Sequence, residues 1–143
     1  MHTTEKTFVD ILYVLAVKIS AEVKLTCEKD DSLIVAFNNT YRPLLGSIQQ
    51  IYKLHHEVIL PELEAYISRQ RTGNIWSVLE TNFKCIEVIY KDYFVKYSDM
   101  QGKLDELRRT HALINEAMLK CQVHLANLDP INQLNCANQR LLR

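Results

Sequence analysis

Several residues and patterns are scarce in this 143-residue chain, and each scarcity closes off a class of function. There are three glycines, Gly46, Gly73 and Gly102, far apart from one another. A phosphate-cradling loop needs clustered glycines so that backbone N–H groups can surround the anion, and none is present. Only three prolines accompany a hydrophobic content of 48%, a balance that belongs to a folded, helix-rich chain rather than a disordered one. Four cysteines, Cys27, Cys85, Cys121 and Cys136, form no C-x-x-C pair. With no signal peptide in evidence, they read as reduced thiols in a cytoplasmic protein.

Charge of one sign is lacking too. Seventeen basic residues face 17 acidic ones, so no net field recruits nucleic acid or an anionic membrane. The longest apolar run near the start is broken by Lys18, Glu22 and Lys24, which excludes a membrane span and direct insertion. Asn38-Asn39-Thr40 fits the glycosylation pattern, which means nothing without a secretory route. His55 and His56 are adjacent, and helix neighbours point about 100° apart, so they cannot share a metal as i,i+4 ligands do. The expectation is one core-facing and one solvated histidine, with no metal and no cofactor. Glu57, Glu62 and Glu64 crowd one segment, as carboxylates on a solvated face do. A cysteine and a histidine could be brought together in space as a nucleophilic pair, but nothing in their spacing supports it, so no covalent catalyst is identified. Trp76 and the tyrosines recur at helical spacing and read as packing, not as a base-stacking platform.

What is present is helical rhythm. Phe8, Ile11, Leu12, Leu15, Ile19 and Val23 fall on one face of a helix predicted from Thr3 to roughly Cys27. At 1.5 Å per residue that rod is about 37 Å long, enough to back several partners. Thr3 and Thr4 are natural caps, and Glu5 sits in the first turn, where the helix dipole favours a carboxylate. Glu28 to Ser32 is a charged break, and Ser32 is expected to cap a short helix over Leu33–Phe37, a run whose pattern alone fits a buried strand equally well. Helix is preferred, because nothing else in the chain offers strands to pair with it. Asn38 to Pro43 reads as a loop or an irregular helix end.

Ser47 is expected to cap a second amphipathic helix carrying Ile48, Ile51, Tyr52, Leu54, His55, Val58, Ile59, Leu63, Tyr66 and Ile67, kinked or restarted at Pro61. Gly73 is the expected left-handed cap at its end. From Ile75 to about Leu125 the rhythm barely stops, with Gly102 and Arg108-Arg109-Thr110 as candidate bends. Asn127 to Pro130 breaks it, and Leu134 to Arg143 reads as one more helix. The fold class expected is all-α, an elongated helical bundle, in a single domain spanning residues 1–143.

The order of segments resembles a Dbl-homology domain, the helical module of Rho-family guanine-nucleotide exchange factors. Thr4-Glu5-Lys6-Thr7-Phe8-Val9-Asp10-Ile11-Leu12 is similar to the family's opening motif, a Thr-Glu before an aromatic and a Leu-rich run. Leu45 to His55, with Leu60-Pro61-Glu62-Leu63-Glu64, resembles its middle segment, I-x-x-I-x-x-x-H followed by L-x-E-L. Gly73 to Leu79 with Tyr90-Lys91-Asp92-Tyr93 is similar to the next helix. Asn138-Gln139-Arg140-Leu141-Leu142-Arg143 resembles the P-V-Q-R-L-x-R-Y signature, with Ala137 where the family usually has Pro and Cys136 where it often has Lys. A competing register aligns Leu128 to Gln133 instead; the later one keeps Gln and Arg side by side.

The resemblance implies exchange without covalent chemistry, hence not an enzyme in the bond-breaking sense. The factor binds the nucleotide-free GTPase more tightly than the loaded one and so drives release of GDP. By the same resemblance Glu5, preceded by Thr4, accepts hydrogen bonds from the first switch loop of a Rho- or Rac-family GTPase. Gln139 and Arg140, with Cys136, lie beside it and face the second switch and the magnesium site. For Arg140 a structural ion pair within the bundle is the competing role, for Cys136 plain packing, and for Glu5 simple compensation of the helix dipole. The resemblance also implies a domain cut before its last long helix and without the pleckstrin-homology domain that usually follows. Two alternatives accompany it: a helical interaction module of the same fold without exchange activity, and self-association that covers apolar surface at the truncated end. If the chain is an exchange-factor domain, Glu5→Ala abolishes release and leaves helical content and melting unchanged.

Overall fold

Helix is the only regular structure among residues 2–70 and 72–141, which are those the computed structural model describes. Helix α1, His2–Tyr13, passes through a wide π turn, Val14–Lys18, into α2, Ile19–Thr26, as one rod. The expected stripe of Phe8, Leu12, Leu15, Ile19 and Val23 is buried, and Ile11 is half-buried. In the wide turn three successive residues, Val14, Leu15 and Ala16, are all buried. An added residue per turn widens the inward arc, which a regular helix at 100° per residue does not provide. The Tyr41 hydroxyl donates to the Leu15 carbonyl at 2.7 Å inside that turn and ties the rod to its neighbour.

The neighbour is α3, Asp31–Lys53, and here the structure corrects the sequence-based expectation. The cap is Asp30, not Ser32: its carboxylate accepts from the N–H groups of Ser32 at 3.1 Å and Leu33 at 3.4 Å. Neither a loop at Asn38–Pro43 nor a new start at Ser47 interrupts the helix. Pro43 and Asn39, whose carbonyl loses its donor there, both lie on the exposed side, so the missing bond leaves no buried gap. Tyr41, Leu44, Ile48 and Ile51 hold a continuous buried face across the proline. Ser47 lies inside the interface instead of at a cap; it donates to Asp92, which also takes the Lys96 ammonium at 2.8 Å.

A second wide turn, Leu54–Ile59, leads into α4, Leu60–Ile67, with Pro61 in its first turn. The kink expected at Pro61 is thus absorbed as a π turn ending where the proline begins. The helix closes on Arg69 in the left-handed region (φ 59°), with Gln70 N–H on the Ala65 carbonyl at 3.0 Å and Arg69 N–H on Tyr66 at 3.1 Å. That is the cap expected of Gly73, placed four residues earlier on a non-glycine.

Helix α5, Ser77–Thr110, is 34 residues and so about 51 Å long, and it packs chiefly on α3. Gly102 does not end it. The Arg108–Thr110 bend does, because His111 is extended (φ −125°, ψ 103°) and turns the chain into α6, Ala112–Cys121, which packs on α2. A tight turn, Gln122–Leu125, follows, with Ala126 and Asn127 left-handed after it. Helix α7, Pro130–Gln133, is capped by the Asp129 carboxylate, which also pairs with Arg108. Helix α8, Cys136–Leu141, follows a turn at Leu134 and Asn135, so the helix expected from Leu134 starts two residues later. Leu142 and Arg143 lie outside the described residues. The Tyr93 hydroxyl of α5 donates to the Leu134 carbonyl and fixes the joint that aims α8.

Candidate functional site

The wide turn at Leu54–Ile59 sets up the site. It buries two adjacent residues, Leu54 and His55, and leaves His56 and Glu57 outside. The division expected of the histidine pair is therefore observed, with His56 stacked on Tyr52 at the surface (centroids 5.1 Å). His55 cannot sit in a core unbonded, because an imidazole deprived of water must recover its hydrogen bonds from the protein. It does so on both nitrogens. Nδ1 lies 2.5 Å from Glu5 Oε1 and Nε2 lies 2.7 Å from the Tyr90 hydroxyl.

Glu5 is 2% exposed, although it lies in the first turn of α1. Its position explains this: Glu5, Phe8, Leu12, Leu15 and Ile19 follow the three- and four-residue steps of one helix face, so the acid heads the apolar stripe. Its second oxygen, Oε2, is held by the guanidinium of Arg140 from α8. The same guanidinium lies 5.3 Å from the centroid of the Phe8 ring, in cation–π range. Phe8 in turn meets the His55 ring edge-on at 4.9 Å. The wide turn and α8 thus meet the acid of α1 directly, and α5 joins them through Tyr90 on His55.

Burial works to raise the Glu5 pKa, since desolvation disfavours the anion. The hydrogen bond and charge of His55, then those of Arg140, outweigh it and hold the carboxyl below its ordinary value of 4.5. Glu5 is therefore held as the carboxylate. Burial also pushes the Tyr90 phenol well above its usual range, so it is present as a neutral O–H.

The sequence-predicted residues do not all share this environment. Arg140 meets Glu5 across 135 residues of sequence, while keeping a quarter of its side chain exposed. Thr4 and Gln139 are exposed neighbours of those two in sequence. Cys136 is half-buried at the start of α8, and burial pushes its thiol up to about 12, so it is no nucleophile. Its position against the Tyr93–Leu134 joint suits packing. The burial of Glu5 also overturns the expectation that Glu5→Ala leaves melting unchanged: truncation strands a buried imidazole and one guanidinium.

His55 as partner of Glu5, and Tyr90 behind it, were not identified from the sequence as site residues. The signals existed. A histidine on the stripe Ile48, Ile51, His55 requires a buried partner, and a carboxylate at the head of the stripe Glu5, Phe8, Leu12 is the group to supply it.

No cluster of three or more metal-binding side chains exists among the described residues, and no helix among them is long and apolar enough to cross a membrane. Against models of known families, the RhoGEF domain matches residues 1–143. The chain belongs to the RhoGEF domain family. The all-α fold and the match over the whole chain agree, and RhoGEF domains act as nucleotide-exchange factors toward Rho-family GTPases, not as bond-breaking catalysts. No curated protein and no solved structure matches the chain.

Proposed function

We propose that this RhoGEF domain binds a Rho- or Rac-family GTPase, favours its nucleotide-free form and so promotes release of GDP in the cytoplasm. The observation that carries this is the meeting of Glu5 and Arg140, the opening and closing motifs of the resemblance, at one place on the bundle. An exchange factor needs no nucleophile. It needs a surface whose contacts are worth more with the empty GTPase than with the loaded one, because a partner shifts an equilibrium only by its differential affinity. Glu5 is the acceptor for donors of the first switch loop, since charged acceptors make the stronger hydrogen bonds. Thr4 and Gln139 flank it, and Arg140 with Cys136 shapes the surface toward the second switch.

The test is release of fluorescent GDP from a panel of Rho-family proteins, with binding to the empty and loaded forms measured in parallel. Acceleration for at least one member, with tighter binding of its empty form, is expected. Neither binding nor release across the panel would contradict the proposal. A second reading, a helical interaction module without exchange activity, draws on one observation: both oxygens of Glu5 are already engaged inside the domain. Binding without release would favour it.

A further inference from the structure

The two oxygens of Glu5 are not equivalent. Oε1 faces inward, 2.5 Å from His55 Nδ1, and behind it His55 Nε2 lies 2.7 Å from the Tyr90 hydroxyl. Those three residues are 2%, 5% and 1% exposed, so water does not compete for any of these bonds. Oε2 faces Arg140, whose side chain is 25% exposed and rests on Phe8. One oxygen is thus fixed by a sealed chain, and the other is paired with a group that solvent, or a partner, can reach.

From this geometry we propose that His55 and Tyr90 are positioning residues for exchange. They lock Oε1 inward, so that Oε2, at the Arg140 edge, is the oxygen that meets the GTPase. This rests on the proposed exchange function and names the device behind it. The bond directions follow from chemistry. A carboxylate only accepts, so His55 Nδ1 donates to Oε1. Nε2 is then left to the Tyr90 hydroxyl, which as both donor and acceptor completes the chain. Without that O–H, the ring loses the anchor that fixes its rotation. Without the ring, the carboxylate is free to rotate about its last bond and to give both oxygens to Arg140, which binds carboxylates readily in bidentate fashion. The oxygen that should meet the switch loop would then be consumed inside the domain. Any donor arriving at Oε2 competes with a single, half-solvated guanidinium bond; against a bidentate pair it competes poorly.

The experiment uses the 143-residue chain and a GTPase for which the wild-type domain accelerates release. Four proteins are compared: wild type, Tyr90→Phe, His55→Leu and His55→Asn. Tyr90→Phe keeps the ring and its packing. His55→Asn keeps an N–H donor at the Nδ1 position, and His55→Leu keeps only bulk. GDP release is titrated with each, to separate the maximal rate at saturation from the concentration giving half of it. A positioning role lowers the maximal rate, on the order of 100-fold for His55→Leu and less for Tyr90→Phe, with the half-saturating concentration little changed. His55→Asn recovers a substantial share of the loss. An independent readout is the 15N spectrum of the free domain: wild type shows His55 with Nδ1 protonated and a strongly hydrogen-bonded Nε2, whose resonance shifts in Tyr90→Phe. Folded His55→Leu and Tyr90→Phe proteins at the wild-type maximal rate would overturn the positioning role and leave the exchange function standing. A wild-type domain without exchange on any GTPase would overturn both. If His55→Leu does not fold, Tyr90→Phe and the spectrum decide the matter.

Discussion

The carboxylate of Glu5 and the guanidinium of Arg140 form an ion pair that closes the first turn of α1 onto α8, across a sequence separation of 135 residues. The pair is asymmetric, with Glu5 at 3% side-chain exposure and Arg140 at 25%. Desolvating a carboxylate costs several kcal/mol unless it is paired and hydrogen-bonded, and here His55 and Arg140 both supply that compensation. Stability and the proposed function therefore converge on one residue, and variants must separate them.

Removing the acid should be felt in folding as well as in exchange. Glu5→Ala is expected to cost about 3 to 5 kcal/mol, because it leaves His55 buried without its acceptor. Arg140→Met should cost less, about 1 to 3 kcal/mol, since solvent reaches the arginine side of the pair. Urea denaturation of both single variants and the double variant gives the coupling, expected at about 0.5 to 3 kcal/mol. Strict additivity would mean that the pair contributes no interaction of its own.

Acid should weaken the fold through the same residue. The folded Glu5 pKa lies below the ordinary 4.5, so its pairing contributes fully above that value and is lost as pH falls through the folded one. Asp92, held low first by its hydrogen bond from Lys96 and then by Ser47, acts in the same direction. Glu5→Gln isolates the first contribution: stability measured from pH 7 down to pH 3 should fall more steeply in the wild type than in the variant. Parallel curves would show that Glu5 does not titrate abnormally.

Two buried tyrosines should behave as hydrogen-bond donors first and as hydrophobes second. Tyr41→Phe removes the donor to Leu15 in the wide turn, and Tyr93→Phe removes the donor to Leu134 ahead of α8. Each leaves a buried carbonyl short of a partner, at a cost of about 1 to 3 kcal/mol. Tyr93→Phe alone should also raise amide exchange in α8, because it frees the joint that aims Arg140. Unchanged protection in α8 would remove that role from Tyr93.

Two glycines, by contrast, can be improved. Gly46 and Gly102 lie inside α3 and α5, and a Cβ added at either meets nothing within 4 Å. Alanine at each position should stabilise by about 0.5 to 1 kcal/mol, since glycine loses the most freedom on entering a helix. The melting temperature of each single variant checks this. A lower one would contradict the open space around both positions.

The all-α class, the first rod, the long helix from the Ser77 region and the break at Asn127–Pro130 were all legible, because they rest on periodicity and on Pro and Asn chemistry. Continuity was harder to read. Local rules put a loop at Asn38–Pro43, yet Tyr41, Leu44 and Ile48 gain more by staying on one buried face than the exposed proline loses by breaking a single bond. The wide turns were invisible for a related reason: runs such as Val14-Leu15-Ala16 look the same in sequence whether three or two of them face inward. Of the site, Glu5 and Arg140 were reached through the resemblance. His55 and Tyr90 required a partner search along the core stripes, and their pairing depends on a π turn that no composition rule reveals.

The most direct test of the proposed role of Glu5 is the rate of GDP release from a responsive Rho-family GTPase at saturating wild-type domain and at saturating Glu5→Gln. Glutamine keeps the shape and one acceptor oxygen but loses the charge. With both proteins shown folded by near-UV circular dichroism, wild type is expected to accelerate release and Glu5→Gln to fall toward the spontaneous rate. Release by Glu5→Gln at the full wild-type rate would contradict it.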